Sequence, residues 1–545
     1  MSNSGGAAHL SGAALALSLA LSGAATGRDG GDVATATPIK HLVVIFQENN
    51  SFDHYFATYP KALNPPGEPE FRAADDTPTI NGLSPELIAN NPNSTKPFRL
   101  DRSQALLNCD NNNGYGAEQL AFDHGLMDKF PEATSSPATA AAGNATACPT
   151  GVVMGYYDGN TVTALWNYAQ HFAMSDNFYD TEFGVTAMGH FNLIAGQTHQ
   201  SNVVNLMKTG ASTFVVRNGS VIANLDAGPD SCRAAPVKGQ PAASVTMTGP
   251  NVGDLINGFN AARPARRDIT WGWFYGNFDL VPGPTGTPQC DPAYDDHHVP
   301  FQYYMSTANP NHALPLSAQA VGHSVDPSSG KLDPANHQYS LTTFWKAAQA
   351  GNLPAVSFLK APEPDNGHPQ TSDPLSEQSF LVDTINRLQQ LPEWREMAIV
   401  ITYDDSDGWY DHVMGPILNQ SNDPLFDSIC GGAQVSLPTA AFNDRCGYGM
   451  RMPMLVISPF AKRNYVDHAV TDTSSILRFI EDNWLGGMRI DDATRPAPMT
   501  GQTSFDKIAG SIEGMFDFDR HSNLSPLLLD GTTGQVIRDR DRSGR

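Results

Sequence analysis

An apolar run that breaks off at a carboxylate and two amides is the strongest constraint on this chain. His41-Leu-Val-Val-Ile-Phe-Gln-Glu48-Asn49-Asn50-Ser51-Phe52-Asp53 carries five apolar residues, Leu42 to Phe46, and reads as a fully buried strand. A second segment, Ala398-Ile-Val-Ile-Thr-Tyr-Asp404-Asp405, has the same form. Buried parallel strands that end in oxygen ligands build a site at the carboxyl edge of an open α/β sheet. If the two strands are neighbours, Glu48, Asn49, Asp404 and Asp405 converge on one point. Three carboxylates so placed repel one another unless a cation sits between them.

Composition narrows what such a sheet can serve. The chain has 545 residues, enough for a large core, with 16% charged and 40% hydrophobic residues, as a folded globular protein requires. Its formal net charge of -23 disfavours nucleic acid and anionic membranes as partners. Leu10 to Ala25 is rich in Leu, Ala, Ser and Gly and is followed by small residues, so 1–35 is expected to be an export signal and spacer. The segment is too short and too rich in small residues to span a bilayer, and no stable membrane insertion is expected. Six cysteines, at 109, 148, 232, 290, 430 and 446, lie in loop-like sequence. They support an oxidising compartment, secreted or periplasmic, and sequential pairing as Cys109–Cys148, Cys232–Cys290 and Cys430–Cys446 is expected.

Strand-like and helix-like patterns alternate along the chain, which predicts an α/β fold with a central, mostly parallel sheet flanked by helices. Thr161 to Phe172 has helical spacing, and Phe183-Gly184-Val185-Thr186 reads as a turn into a helix. That places Thr186 near backbone amides that favour an anion. Leu353–Lys360 and Met452–Pro459 read as strands, Ser376–Leu391 as a helix, and Asp472-Thr473-Ser474-Ser475 as a cap on a helix reaching Trp484. Residues 36–530 are expected to form one catalytic domain, with loop-rich, disulfide-bearing, cap-like insertions at about 60–150 and 205–310, and 531–545 a tail.

The chemistry-bearing motifs are Glu48-Asn49-Asn50-Ser51-Phe52-Asp53, Asp123-His124, Phe183-Gly184-x-Thr186, His297-His298, His368, and Asp404-Asp405-x-x-Gly408-Trp409-Tyr410-Asp411-His412. In this order they resemble the bacterial phosphoesterase family, which contains phosphocholine-preferring phospholipases C and respiratory-burst-inhibiting acid phosphatases. The resemblance extends over roughly residues 38 to 490 and implies a fold like that of alkaline phosphatase and arylsulfatase.

It also implies one divalent metal ion held by Glu48, Asn49, Asp404, Asp405 and the hydroxyl of the nucleophile, Thr186. Oxygen ligands suit Ca, Mg or Mn, with Fe or Zn also compatible with carboxylates. By resemblance, His124, His297, His298 and His368 are candidates to hold the phosphoryl oxygens and to protonate the leaving alcohol, His368 first among them as general acid, with Asn49 stabilising charge. His412 and His468 are expected to be structural. Two departures stand out. The prolines that the family usually carries around its nucleophile are absent from Gly184-Val185-Thr186-Ala187-Met188, and Asp407 adds a charge beside the metal edge.

The resulting expectation is metal-dependent hydrolysis of phosphate monoesters through a phosphothreonine intermediate. The alternative is a phospholipase C acting on phosphocholine diesters, which would make the partner a phospholipid headgroup rather than a small phosphate ester. No twin-arginine run or C-terminal β region is seen, which inclines the expectation to the acid phosphatase branch. A non-catalytic metal-binding surface protein is the rival from another class, disfavoured because all the expected ligands are present. A sulfatase is disfavoured by the lack of a Cys-x-Pro-x-Arg run.

Overall fold

Two strands set the centre of the molecule. In the computed structural model, His41–Gln47 (β1) lies hydrogen-bonded and parallel to Met397–Tyr403, with Leu42 opposite Ala398 and Gln47 opposite Tyr403. The structure describes residues 34–107, 110–135, 149, 151–204, 216, 217, 220–233, 244–264, 266–418, 446–493, 504–520 and 522–537. Leu42 to Phe46 are buried completely, as are Ala398 to Ile401. Runs this apolar and β-branched have no solvent side, so they take the middle of a sheet covered on both faces.

The other strands in chain order are Ala173–Ser175 (β2), Trp271–Tyr275 (β3), Gln338–Ser340 (β4), Val356–Lys360 (β5), Met397–Tyr403 (β6), Met454–Ile457 (β7) and Tyr465–Asp467 (β8). Their order across the sheet is β4-β3-β5-β1-β6-β7-β2-β8. Only β7 runs antiparallel to its neighbours, so the sheet is mostly parallel, as expected. Trp271-Gly-Trp-Phe-Tyr275 is a strand of this main sheet although its surroundings read as an insertion. Its aromatics carry no period-two alternation because both faces are covered.

The helices obey local rules. Thr163–His171 forms from the predicted apolar spacing. Pro374–Leu388 begins at Asp373, whose carboxylate accepts from the amides of Leu375 (2.7 Å) and Ser376 (2.9 Å), with Pro374 at the first helical position. Thr473–Trp484 begins at Asp472, and Ser475 reciprocates to the Asp472 amide at 3.0 Å. Cys232 and Cys290 are joined, with 5.5 Å between their Cα atoms. Cys109, Cys148 and Cys430 lie outside the described residues, as do the expected leader segment through residue 33 and residues 538–545 of the tail.

Candidate active site

The parallel register of β1 and β6 delivers Glu48 and Asn49 from one strand, and Asp404 and Asp405 from the other, to the same edge. All four are buried. The helix Thr186–Ala195 is seated against this edge through Gly189, where a Cβ would lie 1.8 Å from the carbonyl oxygen of Asp404. No side chain fits there. The close approach sets the helix start over the carboxylates, with the Ala187 amide donating to Asn224 Oδ1 at 2.9 Å. The Thr186 hydroxyl donates to Asp405 Oδ2 at 3.4 Å.

The Asn49 amide shows how crowded the carboxylates are. One terminal atom faces Asp404 Oδ1 at 2.8 Å and Glu48 Oε2 at 2.7 Å, and the other faces His368 Nε2 at 3.1 Å. With only protein present, the amide nitrogen belongs on the carboxylate side, where it donates to both. With a cation among the carboxylates, the amide oxygen belongs there instead. Burial and the neighbouring negative charges of Glu48 and Asp405 hold the Asp404 carboxyl well above its ordinary range. Burial likewise lifts Asp405, to about 7. Burial also pushes Glu48 upward, but His298, Lys360 and His368 outweigh it and hold that carboxyl well below its usual value. Three carboxylates sharing one buried edge with a side-chain amide and a hydroxyl form a hard-oxygen donor set. The resistance of Asp404 and Asp405 to ionisation is what a bound divalent cation would relieve, so these residues fit one.

One cation is supplied by the chain itself. Lys360, the last residue of β5, is fully buried; its ammonium meets Glu48 Oε1 and lies 3.2 Å from Asp404 Oδ2. Sequence reasoning reads Lys360 only as the last residue of a strand and misses its place in the site. It also misses His190, one turn into the helix, whose Nδ1 is 2.8 Å from the Thr186 carbonyl oxygen and 3.5 Å from Asp404 Oδ2. Burial and the Lys360 charge keep His190 neutral.

A cavity of about 350 Å³ opens above this edge, lined among others by Thr186, Tyr294, Asp295, His297, His298, Glu363 and His368. Three of the four candidate histidines therefore share it with Thr186. His298 Nε2 is 3.0 Å from Glu48 Oε1, and its Nδ1 is 3.2 Å from the Tyr275 hydroxyl. His297 Nδ1 is 3.1 Å from Asp295 Oδ1; burial alone would lower its pKa, but Asp295, Asp296 and Asp226 raise it to about 9. Burial opposes the charge on His368 as well, yet Glu48, Asp110 and Asp405 raise its pKa.

His124 is the exception. The helix Tyr115–Phe122 ends in left-handed backbone at Asp123 (φ 38°) and His124 (φ 57°), and His124 is exposed on that turn, outside the cavity lining. Earlier residues of the same stretch face the site instead. Asn113 Nδ2 donates to Asp405 Oδ1 at 2.9 Å, and Asn111 Nδ2 to Asp407 Oδ2 at 3.1 Å. Glu118, lifted by burial to about 8, accepts from the Ser406 hydroxyl and, at 3.0 Å, from the Gly184 amide. It ties the turn before Thr186 to the turn after Asp405. Asp407 is buried, not turned outward. His412 and His468 bond Asp53 and Asp176 at 2.7 and 2.8 Å, away from the cavity, consistent with structural roles.

Residues 39–485 match the Phosphoesterase family. The chain is similar to the non-hemolytic phospholipase C of Burkholderia pseudomallei, 24% identical over 93% of this chain and 63% of that protein. It is also similar to the non-hemolytic phospholipase C of Pseudomonas aeruginosa, 22% identical over 82% of this chain and 54% of that protein. Phospholipase C A of Mycobacterium tuberculosis is 23% identical over 90% of this chain and 81% of its own length. The chain thus spans under two thirds of the first two. Among solved structures, a protein in the alkaline phosphatase superfamily from Vibrio parahaemolyticus shows a weak likeness, with a TM-score of 0.29 and 11% identity over 87% of this chain and 76% of that one.

Proposed function

The chain belongs to the Phosphoesterase family, and on that premise we propose that it hydrolyses phosphate monoesters, with Thr186 as nucleophile. The observation that carries this is one cavity in which the Thr186 hydroxyl sits at a helix start between a buried carboxylate edge and three histidines.

Glu48, Asn49, Asp404 and Asp405, with the Thr186 hydroxyl, are the residues that would hold a divalent ion. Such an ion, when bound, supplies the positive charge that lowers the hydroxyl pKa and offsets charge on the phosphoryl group. Its identity among Ca, Mg, Mn, Fe and Zn is left open by oxygen donors alone. The chain's own groups do the rest. Asp405 Oδ2 accepts the Thr186 hydroxyl hydrogen bond and aims the oxygen. Thr186 Oγ1 passes its proton to Asp405 Oδ2 and forms the new bond to phosphorus as the bond to the leaving oxygen breaks. His297, kept cationic by its aspartates, holds phosphoryl oxygens. His368 lines the cavity with Thr186, and its raised pKa keeps a proton available for the departing alkoxide. Water then cleaves the phosphothreonine. His298 is positioned by Glu48 and Tyr275 to hold the phosphoryl group or that water.

A second reading, cleavage of phosphocholine diesters, is favoured by the names of the three relatives and by Tyr294, Asp295 and Glu363 in the cavity wall, since aromatic and acidic groups suit a quaternary ammonium. Location outside the cytoplasm, secreted or periplasmic, is supported by the Cys232–Cys290 bond. No described helix is long and apolar enough to cross a membrane.

The deciding experiment compares p-nitrophenyl phosphate with p-nitrophenyl phosphorylcholine on metal-analysed protein, with Thr186→Ala as control. Preference for the monoester, lost by about 10⁴-fold in the variant with metal content retained, is the expected result. Preference for the diester selects the second reading. Undiminished turnover in Thr186→Ala refutes the nucleophile.

A further inference from the structure

Resting on the reading that Glu48, Asn49, Asp404 and Asp405 hold a cation, we infer that Lys360 fixes the charge of this site at a value matched to one divalent ion. The argument is in how the carboxylate oxygens are shared. Lys360 takes Glu48 Oε1 and Asp404 Oδ2. The other oxygen of each, Glu48 Oε2 and Asp404 Oδ1, is the one turned toward the Asn49 amide. Each carboxylate therefore gives one oxygen to the lysine and keeps one for the ion, so neither can grip the ion with both.

Lys360 cannot retreat from this arrangement. It is fully buried at the end of a central strand, its Nζ is 3.5 Å from the Gln47 carbonyl oxygen, and it lies 5.5 Å from the centre of the Phe46 ring. It does not line the cavity, so it acts through the carboxylates as a positioning residue. With the ligands ionised, as cation binding requires, the three carboxylates and the one ammonium sum to −2, and His298 and His368 beside Glu48 and Asn49 add no negative charge to that sum. A divalent ion neutralises that charge, whereas a trivalent ion leaves an uncompensated positive charge in a buried site. Without the lysine the balance moves to −3, and the preference moves with it.

The test measures Tb³⁺ and Ca²⁺ affinity by luminescence and calorimetry, at one fixed pH, in the wild type, Lys360→Met and Lys360→Arg. The expected result is a Tb³⁺-to-Ca²⁺ affinity ratio that rises by about tenfold or more in Lys360→Met and stays within about threefold in Lys360→Arg. An unchanged ratio in Lys360→Met, or the same rise in Lys360→Arg, overturns the inference. If Lys360→Met does not fold without ions, refolding yield decides: better recovery with Tb³⁺ than with Ca²⁺ supports it, and equal or no recovery overturns it. A wild type that binds neither ion overturns this inference, and one that also binds no Mg, Mn, Fe or Zn removes the cation reading itself.

Discussion

Two buried charge clusters are made from the same two stretches of chain, and they differ in how well their charge is balanced. Residues 48–53 and 404–412 supply Glu48, Asn49, Asp404 and Asp405 to one, and Asp53, Asp411 and His412 to the other. In the second, Arg451 donates from Nε to Asp411 Oδ2 (3.1 Å) and from Nη2 to Asp53 Oδ1 (3.2 Å). Its Nη1 reaches the carbonyl oxygens of Asn81 and Asp176 at 2.7 and 2.9 Å. His412 Nδ1 is 2.7 Å from the remaining Asp53 oxygen. Asp53, Asp411 and His412 have the donor atoms of a metal site, but Arg451 pairs with both carboxylates and His412 with Asp53, so the cluster supplies its own countercharge. In the first cluster one ammonium, with His298 and His368 beside Glu48, serves three carboxylates, and Asp404 and Asp405 are still held above their ordinary range. A motif rich in carboxylates thus becomes structural glue or a reactive site according to whether the fold completes its countercharge.

Breaking the balanced cluster should have the largest effect. Arg451→Met strands two buried carboxylates and is expected to cost about 3–5 kcal/mol of stability, read by chemical denaturation. Removing the ion from the unbalanced cluster comes next. Chelation should lower stability by about 3 kcal/mol if the ion is present at 100 times its dissociation constant, and the melting temperature should recover on adding the divalent ion back. Arg451→Met protein that still folds should show the same chelator response, because its cluster holds no ion.

Smaller again is a pH effect. The folded pKa of His297, about 9, lies above the ordinary imidazole value near 6.5, so its contribution is fully present below about 6.5 and is lost as pH rises through about 9. Denaturation of His297→Asn against wild type should show a gap of about 1–2 kcal/mol at pH 6 that closes by pH 9.5, less than the full shift because the ring is partly exposed. A gap that widens with pH would reverse the assignment of its charge. The smallest effect sharpens the contrast most. Metal-free Asp404→Asn should be as stable as the wild type, or up to about 1 kcal/mol more so, since the change removes a carboxyl that burial, Glu48 and Asp405 hold well above its ordinary range and leaves Lys360 paired with Glu48, yet it should lose the ion.

Much of this site was legible in the chain itself, because each piece depends on local pattern. Leu42 to Phe46 and Ala398 to Tyr403 are too apolar for an edge strand, and the polar break fixes where each ends. Gly184 before Thr186 marks a turn into a helix. What was hidden depends on pairing or on backbone hand. Lys360 joins the site only because β5 lies beside β1. His190 sits in a helix whose apolar neighbours read as core. His124 is a motif histidine by spacing alone, and two left-handed residues carry it to the surface while Asn111, Asn113 and Glu118 face inward. Trp271–Tyr275 lacks the alternation that separates a strand from an aromatic loop.

Gly189 sets a gauge for the whole apparatus. With no side chain between helix and strand, the separation of the Thr186 oxygen from the carboxylate edge is the thickness of two abutting peptide groups. That spacing is a property of backbone, which side-chain substitution around the cavity leaves untouched. A designer could reshape the wall at Tyr294 or Glu363 to admit a different alcohol without disturbing the distance over which the phosphoryl group travels. Enlarging residue 189 by a single methyl group would wedge the hydroxyl off its carboxylate bed while every reactive side chain was still present.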